Sequence, residues 1–369
     1  MMLNQLGTLG SEILVMLNTV MRALAVAGMV AAGAMAQTPA VAEHDAVTAN
    51  FRFSDGKLLP RLVQHYRTIG LPDRNANGEI INAVMVLHGT GGTGAQFLQP
   101  QFARLFAPGA PLDAGKFFII LPDAIGHGGS SKPSDGLRQA FPAYDYADMV
   151  RAQKDLLDQL KVAKLRLLMG TSMGCMMGFQ FGTDYPQIAK AMMPLACNTV
   201  PLAGRNRLWR ALVMQAIRTD PAFKGGDYTV QPPVGAAVNA VLGAMASSMP
   251  VRMQQDLPDR DAADAAAAKV IAGAMAGFDA NDRLYQLDAS RNYNPSPNLA
   301  RITMPVTWVN SADDFINPPG LGIAEKEAMK LPNARFVMVP ESADTRGHST
   351  HTWSKFWEAE LVSLLARSE

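Results

Sequence analysis

Leu165-Arg166-Leu167-Leu168-Met169-Gly170-Thr171-Ser172-Met173-Gly174 runs from a short apolar segment into a glycine-flanked serine. The apolar part reads as a buried strand, and Cys175 to Tyr185 reads as a helix stopped by Pro186. Between them, Gly170-Thr171-Ser172-Met173-Gly174 is a G-x-S-x-G pentapeptide. A serine on a sharp strand-to-helix turn is pushed above the sheet with its Oγ exposed, and the flanking glycines give room for a strained backbone and an approaching substrate. The pentapeptide is a weak signal alone. Its strand–turn–helix setting makes Ser172 a candidate nucleophile.

Working outward, strand-like runs occur at Ala83–Leu87, Phe117–Leu121, Ala191–Leu195, Pro305–Val309 and Arg335–Val339, with a β-hairpin over 50–66. Met149, Ala152, Leu156, Leu157 and Leu160 share one face of a helix after Asp145, and Phe356, Trp357, Leu361, Leu364 and Leu365 do so near the C-terminus. Buried strands alternating with helices predict an α/β fold with a mostly parallel central sheet flanked by helices. The alternation lapses between about Pro201 and Leu299, where alanine-rich helical segments and proline joints replace strands. The expected organisation is a first core part over 37–200, a helical cap over 201–299 and a second core part over 300–369.

The 369 residues, 48% hydrophobic and 18% charged, suit a globular protein with a large core. A net charge of +1 without a basic stripe gives no case for nucleic acid. Met21-Arg22, the apolar run Ala23–Gly33 and Ala34-Met35-Ala36 have the order of an export signal, which predicts residues 1–36 as a signal region and a mature start at Gln37. Residues 1–20 carry one acid and no base, so translation is expected to begin at Met21. The apolar run is too short for a stable membrane anchor, and the expected location is periplasmic or secreted. The two cysteines, Cys175 and Cys197, imply no disulfide framework; they are expected as small buried hydrophobes, although one bridge between them is geometrically allowed.

A serine needs a base to take its proton and a third group to orient that base. In the order Ser, acid, His, the acid falls at Asp313 or Asp314, after the strand Pro305–Val309, where open α/β sheets place their sites. Only one of two adjacent acids can reach the histidine, and the residues alone do not say which. Only His348 and His351 follow that acid. His348 follows a glycine in a loop and is the candidate base; His351 is expected to cap a helix or face solvent. The His-x-x-His spacing lacks an accompanying glutamate, so no metal is expected. The developing oxyanion calls for two backbone N–H groups. These are expected from Met173, after the nucleophile, and from Thr90 in His88-Gly89-Thr90-Gly91-Gly92. A second glycine loop, Asp123 to Lys132, lacks a phosphate-binding frame and is expected to be structural.

From about Phe51 onward the chain resembles the α/β-hydrolase superfamily, and within it the homoserine O-acetyltransferase-like group. The elbow at Ser172 is similar to that group's G-G-S-M-G. Ala216-Ile217, Asp220-Pro221, Gly225-Gly226-Asp227-Tyr228 and Phe278-Asp279-Ala280-Asn281 are similar to its cap motifs. Asp314-Phe315-Ile316-Asn317-Pro318 resembles its acid loop, which implies Asp314 rather than Asp313, and Gly347-His348 resembles its catalytic histidine. The resemblance implies an α/β-hydrolase fold with an inserted cap. Two positions depart from it. Met214 stands where the transferases carry an arginine thought to grip homoserine's carboxylate, and Ser349 stands where an acid follows the histidine. A charge-assisted bond of that kind is worth about 1.5–3 kcal/mol.

These readings favour a serine ester hydrolase working through an acyl-Ser172 intermediate. The alternative is an O-acyltransferase with an alcohol acceptor and acyl-CoA as co-substrate; a non-catalytic binding protein on the same fold is the third reading. No cofactor is expected. The expected partner is a small-molecule ester or acyl compound, and a homodimer stays open.

Overall fold

The structure is a computed structural model that describes residues 40–369; the expected signal region and the Met21 start lie outside the described residues. Eight strands form one sheet in the order β1 (Val41–Arg52), β2 (Leu58–Ile69), β4 (Phe118–Pro122), β3 (Ala83–Leu87), β5 (Leu167–Thr171), β6 (Met192–Leu195), β7 (Val306–Ser311) and β8 (Ala334–Val339). β1 and β2 pair antiparallel, as do β2 and β4, and every other pairing is parallel. The expected hairpin is longer than its sequence suggests, because β1 begins at Val41, paired with Ile69. Residues 41–49 form an edge strand exposed along most of its length, so they carry no apolar alternation to read.

All five residues of β3 are buried, yet they divide between two cores. Met85 and Leu87 face one cluster with Leu168, Phe179 and Trp308, and Val84 and Val86 face another with Met169, Trp357 and Leu361. Side chains alternate across a strand, so a sheet covered on both faces needs apolar residues at every position. Helix α1 (Tyr146–Leu160) starts where Asp145 accepts from the Asp148 N–H at 3.1 Å and Asp148 accepts in return, a reciprocal cap. Its apolar stripe packs into the first cluster with α2 (Met173–Asp184), the helix that follows the elbow.

Between β6 and β7 the chain runs through α3 (Gly204–Thr219), α4 (Pro233–Ala246), α5 (Pro250–Asp256), α6 (Arg260–Ala272) and α7 (Ala280–Asp288). These helices bury a cluster of their own, built on Val213, Met214, Ile217, Phe223, Phe278 and Leu287. No single described helix is long and apolar enough to cross a membrane.

Cys175 and Cys197 are not separate buried thiols, as expected, but a disulfide. β5 and β6 are adjacent and parallel, with Thr171 opposite Leu195, so the first turn of α2 and the segment leaving β6 emerge side by side. Their Cα atoms stand 5.9 Å apart, within bridging range. The pairing of the strands, invisible in a spacing of 22 residues, sets this proximity.

Candidate active site

The C-terminal ends of β3, β5, β6 and β7 come together, with Leu87 beside Gly170, Thr171 beside Leu195, and Leu195 beside Val309. Ser172 leaves β5 with φ 54° and ψ −111°, a strained conformation for a residue with a side chain. Such backbone costs of order 1–3 kcal/mol and persists only where its surroundings impose it. Here the strand before it and the helix after it do so. A Cβ on Gly174 would collide with the Leu87 carbonyl, so the glycine lets α2 lie directly on β3.

Ser172, His348 and Asp314 form one chain of hydrogen bonds. The Ser172 Oγ stands 2.8 Å from His348 Nε2, and His348 Nδ1 stands 2.8 Å from Asp314 Oδ2. With Nδ1 donating to the carboxylate, Nε2 is free to accept the serine proton. The other oxygen of Asp314 accepts from the backbone N–H groups of Ile316 at 2.7 Å and Asn317 at 3.0 Å, and the Asn317 side chain donates to Oδ2 at 3.1 Å. Burial opposes charge on this carboxyl, but His348 and the Asn317 donors outweigh it and hold its pKa below the usual range.

Asp313 points elsewhere. It accepts from Ser311 Oγ at 2.7 Å and from the Gly347 N–H at 2.9 Å, and so holds the loop that presents the histidine. The two neighbouring acids thus have separate tasks, one facing the imidazole and one facing its backbone.

His351 corrects an expectation. It does not cap a helix and is only half-exposed; it lies edge-on to His348 with ring centroids 4.9 Å apart and lines the same cavity. Burial first, and the neighbouring His348 second, push its pKa down to about 3, so it stays neutral. A tight 3₁₀ turn over Gly347–Thr352 folds it back, its Nδ1 bonded to the His348 carbonyl oxygen.

The loop after β3 approaches the serine closely: a Cβ on Gly89 would stand 3.5 Å from Ser172 Cβ. Thr90 lines the cavity beside Ser172, and Met173 is the first residue of α2, where backbone N–H groups lack intrahelical acceptors. Gln96, which sequence reasoning missed, joins the two loops. Its Oε1 accepts from the Gly89 N–H at 3.3 Å, and its Nε2 donates to Thr171 Oγ1 at 3.0 Å. His88 is buried and kept neutral, its Nε2 accepting from the Ala124 N–H at 3.0 Å and its Nδ1 bonded to the Gly89 oxygen at 2.8 Å. The Asp123–Lys132 loop is organised internally: buried Asp123 accepts from the Gly94 and Gly129 N–H groups and pairs with Arg67.

The cavity over Ser172 has a volume of about 320 Å³ and is walled on the far side by Trp209, Arg210 and Asn239 of the insertion and by Arg283 of α7. Met214 does not reach it; the thioether packs in the insertion's apolar cluster, one helical turn beyond Arg210. Both arginines escaped sequence reasoning, because a charged residue on a helix reads as a solvated face until its neighbours are known. Among the described residues no group of His, Cys, Asp and Glu side chains is arranged to hold a metal ion.

Residues 82–345 match the family described as alpha/beta hydrolase fold. A homoserine O-acetyltransferase from Solidesulfovibrio magneticus is 34% identical over an alignment of 208 positions that covers 51% of this chain and 51% of that one. The chain spans about half the length of the curated relatives it matches first. The solved homoserine O-acetyltransferase from Bacillus anthracis superposes with a TM-score of 0.76 at 19% identity, over 88% of this chain and 97% of that one. An acetylester hydrolase from Corynebacterium glutamicum superposes with the same TM-score, 0.76, at 19% identity, over 88% and 96%. At these identities the superpositions speak for the fold, and the matched segment, over 70% of the chain, speaks for descent. This chain belongs to the α/β-hydrolase fold family.

Proposed function

We propose that this protein transfers acyl groups through Ser172. As Oγ attacks the acyl carbonyl, its proton passes to His348 Nε2; Asp314 holds the imidazole in the required tautomer and stabilises its positive charge. The N–H groups of Thr90 and Met173 receive the oxyanion, and each such donor is worth roughly 10²–10³ in rate. His348 then protonates the leaving group, which departs and leaves an acyl-Ser172 ester. An acceptor O–H next gives its proton to His348 and attacks that ester, and collapse returns the proton to Ser172. The hydrogen-bond chain Asp314–His348–Ser172, with both links at 2.8 Å, carries this reading.

An alcohol as acceptor is the first reading, because curated relatives are named for acyl transfer to homoserine. Water is the second, an ester hydrolase, and two observations favour it. Met214 is buried away from the cavity, and Ser349 lines the cavity without an acid's charge.

The deciding experiment follows p-nitrophenyl acetate in a stopped-flow, alone and with added alcohols, then acetyl-CoA with homoserine. A burst with turnover in water supports hydrolysis; turnover that rises with alcohol, with the acylated alcohol as product, supports transfer. The mass of the peptide carrying Ser172 should rise by one acyl group, and Ser172→Ala should abolish burst and adduct. Full activity in Ser172→Ala refutes the mechanism.

A further inference from the structure

A buried arginine and a half-buried one face the nucleophile's cavity with no carboxylate to meet them. Arg210 is 2% exposed. Its Nε donates to Asn206 Oδ1 at 3.1 Å and its guanidinium lies beside the Trp209 ring, yet its Nη1 is buried without a partner. Arg283 lies against the oxyanion loop: a Cβ on Gly91, whose φ is +72°, would stand 2.5 Å from Arg283 Nη1. Its Nε is likewise buried and unpartnered. Neither arginine closes an ion pair among the described residues.

The one acid beside Arg283 in sequence, Asp282, turns away. Its carboxyl accepts from the Ser134 N–H at 2.8 Å and Oγ at 2.7 Å. Hydroxyls, not carboxylates, surround Arg210. Tyr146 Oη lies among Arg210, Thr90 and Ser290, and Thr90 lines the cavity. Burial pushes both guanidiniums below their usual pKa range, as it does for charge left uncompensated.

A buried cation without a counter-ion is unfavourable, and two in one cavity repel each other. A planar fork of N–H donors matches a carboxylate, which would satisfy both guanidiniums beside Thr90 in the same cavity. Position says which half of a substrate carries it. The leaving group must depart towards His348, which protonates it. Arg283 sits instead by Gly91, next to Thr90, on the oxyanion-loop side. Met214, at the position resembling the transferases' carboxylate-binding arginine, is packed elsewhere.

We propose that Arg210 and Arg283 form a carboxylate subsite for the acyl half of the substrate, so that this enzyme takes acyl groups ending in a carboxylate, of the dicarboxylic half-ester or half-thioester class. The inference rests on the acyl-Ser172 reading for its catalytic meaning, but the subsite itself does not.

The test compares three esters on the whole protein: mono-p-nitrophenyl succinate, its methyl ester, and 4-acetoxybenzoate, which carries the carboxylate on the leaving half. The expected kcat/KM for the free succinate exceeds that of its methyl ester by on the order of 10–100-fold, from charge-assisted hydrogen bonds. Arg283→Gln should bring that ratio near one, and Arg283→Lys should recover part of it. A ratio near or below one in the wild type, or one unchanged in Arg283→Gln, overturns the proposal while leaving acyl transfer intact. So does a preference shown only by 4-acetoxybenzoate. Should no ester acylate Ser172, the mechanism fails and binding still decides the subsite. Trp209 fluorescence in Ser172→Ala should then respond to succinate and not to dimethyl succinate, with the response lost in Arg210→Met; no response to succinate overturns the subsite too.

Discussion

Replacing Asp314 by asparagine tests the site at its least ambiguous point. One carboxylate oxygen accepts two backbone N–H groups that cannot rotate away; the other accepts from His348 Nδ1 and the Asn317 side chain. An asparagine amide must place its NH₂ at one of these positions. At the first it would face two fixed donors, leaving buried donors unsatisfied at about 1–3 kcal/mol each. At the second, Asn317 can adjust and His348 can change tautomer. The NH₂ is therefore expected to face His348, whose Nδ1 becomes an acceptor and whose Nε2 then carries the proton. In that state Nε2 has no lone pair for the Ser172 proton. A wrong tautomer in a serine triad lowers kcat by on the order of 10⁴, about 5.5 kcal/mol of barrier.

The comparison variant is Asp313→Asn. It weakens bonds from Ser311 and Gly347 to the loop, worth about 1 kcal/mol, so acylation should fall by roughly five-fold to tenfold. Burst kinetics with p-nitrophenyl acetate measure acylation for both, and circular dichroism and thermal melting establish that each folds. Asp314→Asn retaining acylation within tenfold of wild type, or Asp313→Asn losing more than Asp314→Asn, refutes the assignment.

Cutting the Cys175–Cys197 bridge, by reductant or by the double alanine variant, removes a cross-link closing a loop of 22 residues. The expected loss is about 3 kcal/mol from loop-closure entropy, read as a lower denaturant midpoint; an unchanged midpoint under reductant contradicts it. Asp282 has its carboxyl pKa raised by burial to about 6. Its unfolded value is about 3.9, so the folded state holds the extra proton between these values and stability from this group is lost as pH rises from about 4 to about 6. Asp282→Asn should flatten that slope by at most about 3 kcal/mol, less where solvent reaches the carboxyl. Parallel pH–stability curves for the two proteins would count against the raised pKa.

Much of the fold could be read along the chain because its signals are local. β3 has the bounds its apolar run predicts, and β4 to β8 are displaced by one or two residues. The elbow was legible for the same reason: strand, glycine turn and helix occupy consecutive residues. Edge strand β1 was read short, because an exposed strand has no core face to record in its sequence.

What only the tertiary structure decided involves residues distant in sequence or directions set within a turn. Asp313 and Asp314 are adjacent, and their separation depends on where each carboxyl points as the chain leaves β7. His351 looked like a cap or a surface residue until the 3₁₀ turn folded it against His348. The bridge at Cys175 follows from the register of β5 and β6. Arg210 and Arg283 come from two helices of the insertion and meet at one cavity over a serine on β5's turn. Sequence by itself determined the mostly parallel sheet, the strand–turn–helix at Ser172 and the order of serine, acid and histidine along the chain, because backbone preference and hydrophobic periodicity are written in neighbouring residues. The charge surrounding Ser172 was decided by packing, since burial and the lack of a counter-ion are properties of surroundings and not of an arginine's place in the chain.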